Sequence, residues 1–245
     1  MNTQNTPYGT LIIGGREDLF RKAIELAEEN RSANKIPRPS WAMAGGSTPK
    51  AFFAYCKDND AIPKPFIEHG TWYTSDERMV PVDNDESNFG NLDRLLLRHY
   101  DIKEEDKYPW PTGSAPAEAA KVFNELWNKQ RGPAECFDIC FLGIGDDCHT
   151  ASLFPHSPLI SNPVNTHFAA VDVPGKGPRL TVTPHGLSRC GIIVVMVMGE
   201  GKKLPLISIF EGISQPDLRP AQILSHYKDK VYWLVDTAAG SRLAS

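Results

Sequence analysis

Short apolar runs alternate along this chain with longer segments whose apolar residues recur every three or four positions. Leu11–Ile13 reads as a strand, and Glu17–Glu29 then reads as a helix with Phe20, Ile24 and Ala27 on one face. Ser40–Ala44 predicts a second strand and Thr48–Cys56 a second helix. Thr71–Thr74 predicts a third strand, followed by helices over Asn91–Tyr100 (Leu92, Leu95, Leu96) and Pro116–Asn128. Phe137–Leu142 is a fourth strong strand, and Phe168–Val173, Arg179–Thr183 and Ile192–Met198 are further strand candidates. Lys202–Phe210 predicts a helix whose start Pro205 blurs, Val231–Val235 a last strand, and Asp236–Leu243 a short closing helix. Such alternation predicts an α/β fold, a mostly parallel sheet with helices on both faces. No internal repeat or long linker interrupts it. Lys107–Pro116, with three prolines and a glycine, reads as a loop, as does the polar stretch around Asp60 and Lys64.

Composition narrows the picture. A length of 245 residues favours one domain spanning 1–245. The net charge of −4 and the lack of any Lys/Arg block argue against a nucleic-acid partner, so an anionic ligand needs a local cluster of donors. The first seven residues do not read as a signal peptide, and the longest apolar run, Ile192–Met198, is too short to cross a bilayer. Five cysteines, an odd number, predict reduced thiols and a cytoplasmic location rather than a disulfide framework.

Candidate chemistry concentrates where strands end. Gly143–Pro155 (GIGDDCHTASLFP) follows the Phe137–Leu142 strand and places Asp146, Asp147 and His149 on a glycine-rich loop. Open α/β sheets bind ligands at the carboxyl ends of their strands, and a histidine there can move a proton near neutral pH. The plainer alternative is a solvated surface histidine. Gly45-Gly46-Ser47-Thr48-Pro49 also sits between strand and helix. Its glycines permit close backbone approach, and its hydroxyls and helix N–H groups can hold a phosphate. A tight turn with a capping hydroxyl explains it equally well. Asp76-Glu77-Arg78 ends the next strand. Arg78 can clamp an anion or stabilise developing negative charge, or can simply pair with Asp76 or Glu77. Arg179 and Lys202 lie near element ends and can complete an anion site, though either alone reads as scattered surface charge. Cys136, Cys140, Cys148 and His149 invite a zinc reading, but the spacing lacks the paired knuckles of structural zinc sites. A Cys148–His149 nucleophile pair is disfavoured because adjacent loop residues rarely face each other.

Together the stretches AGGSTPKAFFAYC, TWYTSDERMVPVDNDESNFG, FDICFLGIGDDCHTASLFP, RLTVTPHGL, VMVMGEGKK and VYWLVDTAA resemble the 6-phosphogluconolactonase family, in that family's order, from Met43 to Ala239. The resemblance implies a three-layer α/β/α fold and hydrolysis of a 6-phosphorylated sugar lactone in the oxidative pentose phosphate pathway. It also implies no metal and no organic cofactor. By position it casts His149 as the proton-transfer residue and Arg78 as the active-site arginine that meets the oxyanion. Asp147 or Asp76 would support the imidazole, and Gly45, Gly46, Ser47, Thr48, Arg179 and Lys202 would contact phosphate or sugar. The family usually has Gly where this chain has Cys148, a departure expected to reshape the loop if that position needs positive φ. Ser188 stands where Asn is common. Two rivals remain: an amino-sugar-phosphate deaminase or isomerase, which shares the GGSTP loop, and a non-catalytic sugar-phosphate binder. The assembly is expected to be a monomer or small homo-oligomer.

Overall fold

A computed structural model describes residues 1–243. Seven strands form the main sheet in the order β1-β2-β10-β9-β6-β3-β4. They are β1 (Asn2–Thr6), β2 (Gly9–Gly14), β3 (Ser40–Met43), β4 (Thr71–Thr74), β6 (Ile139–Leu142), β9 (Ile192–Val197) and β10 (Val231–Asp236). Only β1 runs antiparallel to its neighbour; the other pairings are parallel. The central strands β3, β6 and β9 are buried at every position, because helices cover both faces and leave no polar side to alternate with.

Side chains of period two divide the interior into two cores. Trp41, Met43, Phe141, Val194 and Leu234 face one core, while Ala42, Cys140, Leu142, Val195 and Trp233 face the other. Helix α1 (Arg16–Ala33) packs Leu19, Phe20, Ala23 and Ile24 into the first core, joined by α2 (Ser47–Asp58) through Phe52 and Phe53 and by α3 (Lys64–His69) through Phe66. Helix α4 (Asn88–Leu92) runs on into a π-type turn over Asp93–Leu97 on the same side. The second core takes α5 (Pro116–Arg131) through Ala119, Phe123 and Trp127. The short α6 (Pro158–Ser161), α7 (Pro184–Arg189) and α8 (Lys203–Phe210) add Leu159, Leu187, Leu206 and Ile209 to it. Pro205 does not disturb α8, because it falls in the first turn where its missing N–H has no helical partner.

Four findings differ from the sequence reading. Phe168–Val173 and Gly177–Val182 (β7 and β8) do not join the main sheet. With β5 (Asp76–Arg78) they form a separate antiparallel sheet, ordered β5-β8-β7. Ser75 is the joint between the sheets: its N–H donates to the Met43 carbonyl at 2.9 Å and its carbonyl accepts from Val182 at 2.8 Å. The helix expected over Asn91–Tyr100 starts earlier, where Ser87 Oγ accepts from Gly90 N, and its helical run stops at Leu97. The stretch around Lys64, expected to be a loop, holds α3. The helix expected over Asp236–Leu243 is only a series of turns: Asp236 accepts the Ala239 N–H on its side chain and the Gly240 N–H on its carbonyl, which closes one capped turn that the chain does not continue as a helix. Among the described residues no helix is long and apolar enough to cross a membrane.

Candidate active site

Adjacent parallel strands β3 and β6 send their following segments to opposite faces: α2 packs in one core, and Ile144, Leu153 and Leu159 pack in the other. Such a divergence opens a crevice at the carboxyl ends of the strands. Here the crevice has two adjoining lobes that share Gly46 and Ser47. One, of about 280 Å³, is lined by Thr48, Gly145, Asp146, His149 and Lys202 among others. The other, of about 230 Å³, is lined by Gly45, Lys50, Arg78, Asp85, Asn88 and Asn91 among others. Residues from four separate stretches of chain therefore meet at one cleft, with Thr48, His149 and Lys202 in one lobe and Arg78 in the next.

The glycine loop has a specific geometry. Gly46 sits at φ +103°, a conformation that L side chains rarely adopt, and it leads into α2 with no side chain capping the helix. The first N–H groups of α2 thus remain donors toward the cleft. A Cβ on Gly45 would lie 1.9 Å from Asn88 Oδ1, so only glycine lets Asn88 approach this loop.

His149 is half-buried. Its Nδ1 lies 2.5 Å from Asp147 Oδ1, and its ring stacks on Phe154 with centroids 3.9 Å apart. Asp147 also accepts the His149 N–H at 3.2 Å. Burial alone would raise the Asp147 carboxyl, but the hydrogen bond and charge of His149 hold it below its ordinary value. Of the two aspartates weighed as the partner of His149, it is Asp147 that makes the contact. Gly145 makes room for it: a Cβ there would stand 2.0 Å from His149 Nδ1 and 2.7 Å from Asp147 Oδ1.

Asp76 is engaged elsewhere. Its Oδ2 accepts from Ser152 Oγ at 2.6 Å, and its carbonyl accepts from Asn88 Nδ2 at 2.9 Å. Burial pushes its carboxyl above the ordinary value, opposed by Ser152 and by the charges of Arg78, His149 and Arg179. It does not line either lobe. Glu77 is buried and caps α4, its carboxylate accepting from the N–H groups of Asn88 at 2.7 Å and Phe89 at 2.8 Å, and from Ser87 Oγ at 3.1 Å. The suggested Arg78 ion pair with Asp76 or Glu77 is absent from the contacts of the described residues: the Arg78 guanidinium donates to the Glu86 carbonyl.

Arg179 lies opposite Arg78 in the β5–β8 register and lines neither lobe; its guanidinium donates to its own neighbour, the Pro178 carbonyl, at 3.0 Å. Burial and the adjacent Arg78 charge both lower its pKa, so an anion bridging this arginine pair would relieve their repulsion. Lys202 reaches the cleft and pairs with Asp146 at 2.7 Å. Lys50 and Asn88 also line the cleft and were not singled out from the sequence. Lys50 stands one turn into α2 from the GGSTP loop, a spacing that could have flagged it, whereas Asn88 carries no such signal.

Cys148 adopts φ +65°, the left-handed conformation that favours glycine, and the loop still presents His149 to Asp147. The positive φ at which a Cβ is strained is thus present at this residue. The Cys148 thiol is buried against the Pro205 carbonyl at 3.7 Å, and burial pushes its pKa up. The Cys148 thiol is thus turned to Pro205, and among the described residues no hydrogen bond joins it to His149, Cys136 or Cys140.

A family model described as glucosamine-6-phosphate isomerases/6-phosphogluconolactonase matches residues 16–233. The chain is 35% identical over 207 residues to a 6-phosphogluconolactonase of Synechocystis, covering 82% of this chain and 83% of that protein. It is 32% identical over 173 residues to the human 6-phosphogluconolactonase, covering 69% and 66%. In fold it is similar to the 6-phosphogluconolactonase from Trypanosoma cruzi, with a TM-score of 0.81 at 24% identity over 100% of this chain and 99% of that one. The chain belongs to the glucosamine-6-phosphate isomerase/6-phosphogluconolactonase family.

Proposed function

We propose that this chain hydrolyses 6-phospho-D-glucono-1,5-lactone to 6-phosphogluconate as a single cytoplasmic lactonase domain of the oxidative pentose phosphate pathway. The observation that carries this reading is the Asp147–His149 pair at 2.5 Å, set in a cleft that also holds the α2 N–H donors and cations. With Nδ1 held by Asp147, Nε2 is the ring nitrogen left for the cleft. It takes a proton from water as the water oxygen attacks lactone C1, and the imidazolium that forms is stabilised by the Asp147 carboxylate. Arg78 stabilises the resulting oxyanion. On collapse the bond from C1 to the ring oxygen breaks, and His149 returns its proton to that oxygen.

The 6-phosphate docks on Gly45, Gly46, Ser47 and Thr48, at the uncapped start of α2. Lys202 and Arg179 neutralise its charge, and Asp76, held by Ser152 and Asn88, balances the arginine pair.

The test is hydrolysis of freshly made lactone, corrected for the spontaneous rate. His149→Ala is expected to lower kcat by roughly two to four orders of magnitude with KM little changed, the usual consequence of losing a general acid–base group. A variant of near-normal kcat removes His149 from the mechanism. Ammonia release from glucosamine 6-phosphate would instead support the deaminase reading.

A further inference from the structure

Phe154 stands five residues after His149 in the chain. Five residues of extended backbone span about 17 Å. The two rings nevertheless stack, with centroids 3.9 Å apart and planes 24° from parallel. The intervening loop turns back on itself to bring them together. Ala151 takes φ +46°, and the Leu153 N–H donates to the Thr150 carbonyl at 2.9 Å. Pro155 then keeps the backbone of Phe154 out of the helical region. The run is tied down on both sides of the ring. The Ser152 N–H donates to Thr181 Oγ1 of β8 at 3.1 Å, and the Ser152 hydroxyl to Asp76 at 2.6 Å. Leu153 is buried in the second core. The Ser157 N–H donates to the Phe154 carbonyl at 3.0 Å, and the His156 N–H to the Asp217 carbonyl at 2.7 Å. The Lys176 ammonium, in the turn between β7 and β8, lies 5.7 Å from the centroid of the Phe154 ring. Phe154 is half-buried and lines neither lobe of the cleft.

We propose that Phe154 is a positioning residue, whose ring holds the His149 imidazole in the plane that keeps Nδ1 on Asp147 and Nε2 toward the cleft. The inference rests on the lactonase reading of the site. The last torsion of a histidine side chain is broad and nearly two-fold, so the ring flips and swings unless something stops it. The contact with Asp147 fixes one atom, Nδ1. The Gly145 backbone crowds the Nδ1–Cε1 edge, where a Cβ would stand 2.0 and 2.1 Å from those two atoms. Neither contact restrains the tilt of the ring. A near-parallel aromatic face does, because tilting the imidazole in either sense opens the stack or drives the two rings together. Phe154 touches the imidazole and stands outside the cleft, so its loss acts on the rate of proton transfer and not on substrate binding.

The test compares Phe154→Leu, which keeps apolar bulk and loses the planar face, with Phe154→Tyr, which keeps both. The leucine variant is expected to lose about 10- to 100-fold in kcat on the phosphorylated lactone, with KM little changed. The tyrosine variant is expected to keep most of the parent kcat. Nitrogen NMR of the His149 ring, assigned with His149→Gln, gives a readout apart from activity. Where the imidazole is neutral, the parent chain is expected to show one tautomer, with the proton on Nδ1. In Phe154→Leu the two ring-nitrogen resonances are expected to converge as both tautomers are sampled. An unchanged kcat, a loss carried by KM, unchanged nitrogen resonances in the leucine variant, or a parent chain that already samples both tautomers overturns the proposal. Phe154→Met, of similar volume, takes the place of the leucine variant should that one fail to fold. A parent chain that does not hydrolyse the lactone refutes the lactonase reading alone, and the nitrogen resonances still decide whether Phe154 positions His149.

Discussion

Gly145 shows how much a missing Cβ can matter. The Asp147–His149 pair lies directly over its backbone, where a methyl group would overlap the imidazole at 2.0 Å. Gly145→Ala must push the ring aside, and a displacement of about 1 Å in a catalytic group costs on the order of 100-fold in rate. The expected outcome is a kcat close to that of His149→Ala with the fold retained by circular dichroism. Gly143→Ala is the control, because its Cβ would meet only the Met196 carbonyl at 3.9 Å, and kcat should be preserved. If both alanines behave alike, the contact is not what positions His149. Cys148 presents the reverse case, a Cβ held where glycine is favoured, at φ +65°. Its side chain also fills a buried site that glycine would empty. Cys148→Ala keeps the strained Cβ and loses the sulfur, whereas Cys148→Gly loses both. The glycine variant is therefore expected to be more stable than the alanine variant by about 1 kcal/mol, the scale of a left-handed backbone penalty and the inverse of the usual order. Urea unfolding of the two variants checks it; an alanine variant of greater stability would show that the strain is already relaxed.

At the scale of elements, the site depends on what each strand end delivers. The α2 start supplies N–H donors with no side chain capping them, and β8 and the segment before α8 supply Arg179 and Lys202. If these act on the phosphate, Arg179→Ala and Lys202→Ala should raise KM for the phosphorylated lactone while leaving kcat nearly unchanged. They should have a much smaller effect on gluconolactone itself, which lacks the dianion. Steady-state kinetics on both substrates separates the cases, and equal losses on both would remove these residues from the phosphate site. Arg179 is the more exposed to this test, because its guanidinium rests on the Pro178 carbonyl and the ligand must draw it across.

For the whole molecule, the buried His167 provides a pH dependence with a definite sign. It is 4% exposed, its Nε2 has no hydrogen-bond partner, and burial, aided by the charges of His185 and Arg189, pushes its pKa from 6.5 down to about 4. As pH falls through this window the unfolded chain binds a proton that the folded chain refuses, so stability declines with falling pH. The loss is at most about 3 kcal/mol, fully present below about pH 4 and absent above about pH 7. His167→Phe, which cannot titrate, should flatten the stability profile between pH 7 and 4 relative to the parent chain, as measured by denaturant unfolding at each pH. An identical slope in the two proteins would mean that other groups carry the acid sensitivity.

The sequence by itself determined the alternation of strands and helices, the sheet's buried central strands and the loops that carry His149, Arg78 and Ser47. Each rests on a local signal: apolar runs too short for helices, three-to-four spacing, and glycines where strands end. These signals depend on near neighbours in the chain and survive without knowledge of the fold. Tertiary structure alone decided the rest. β7 and β8 look like any other apolar runs, yet they form their own sheet, because Ser75 turns β5 away from β4 to pair with β8. The polar strand β1 has no apolar alternation at all and is held by its backbone ladder to β2. Asp76 and Asp147 are alike in the sequence as supports for His149. The choice fell to Asp147 because the bend at Gly145 brings its carboxylate to Nδ1, while Ser152, seventy-six residues from Asp76 and bonded to Thr181 of β8, claims the other carboxylate. Contacts of that separation depend on the register of packed layers, which no local pattern encodes.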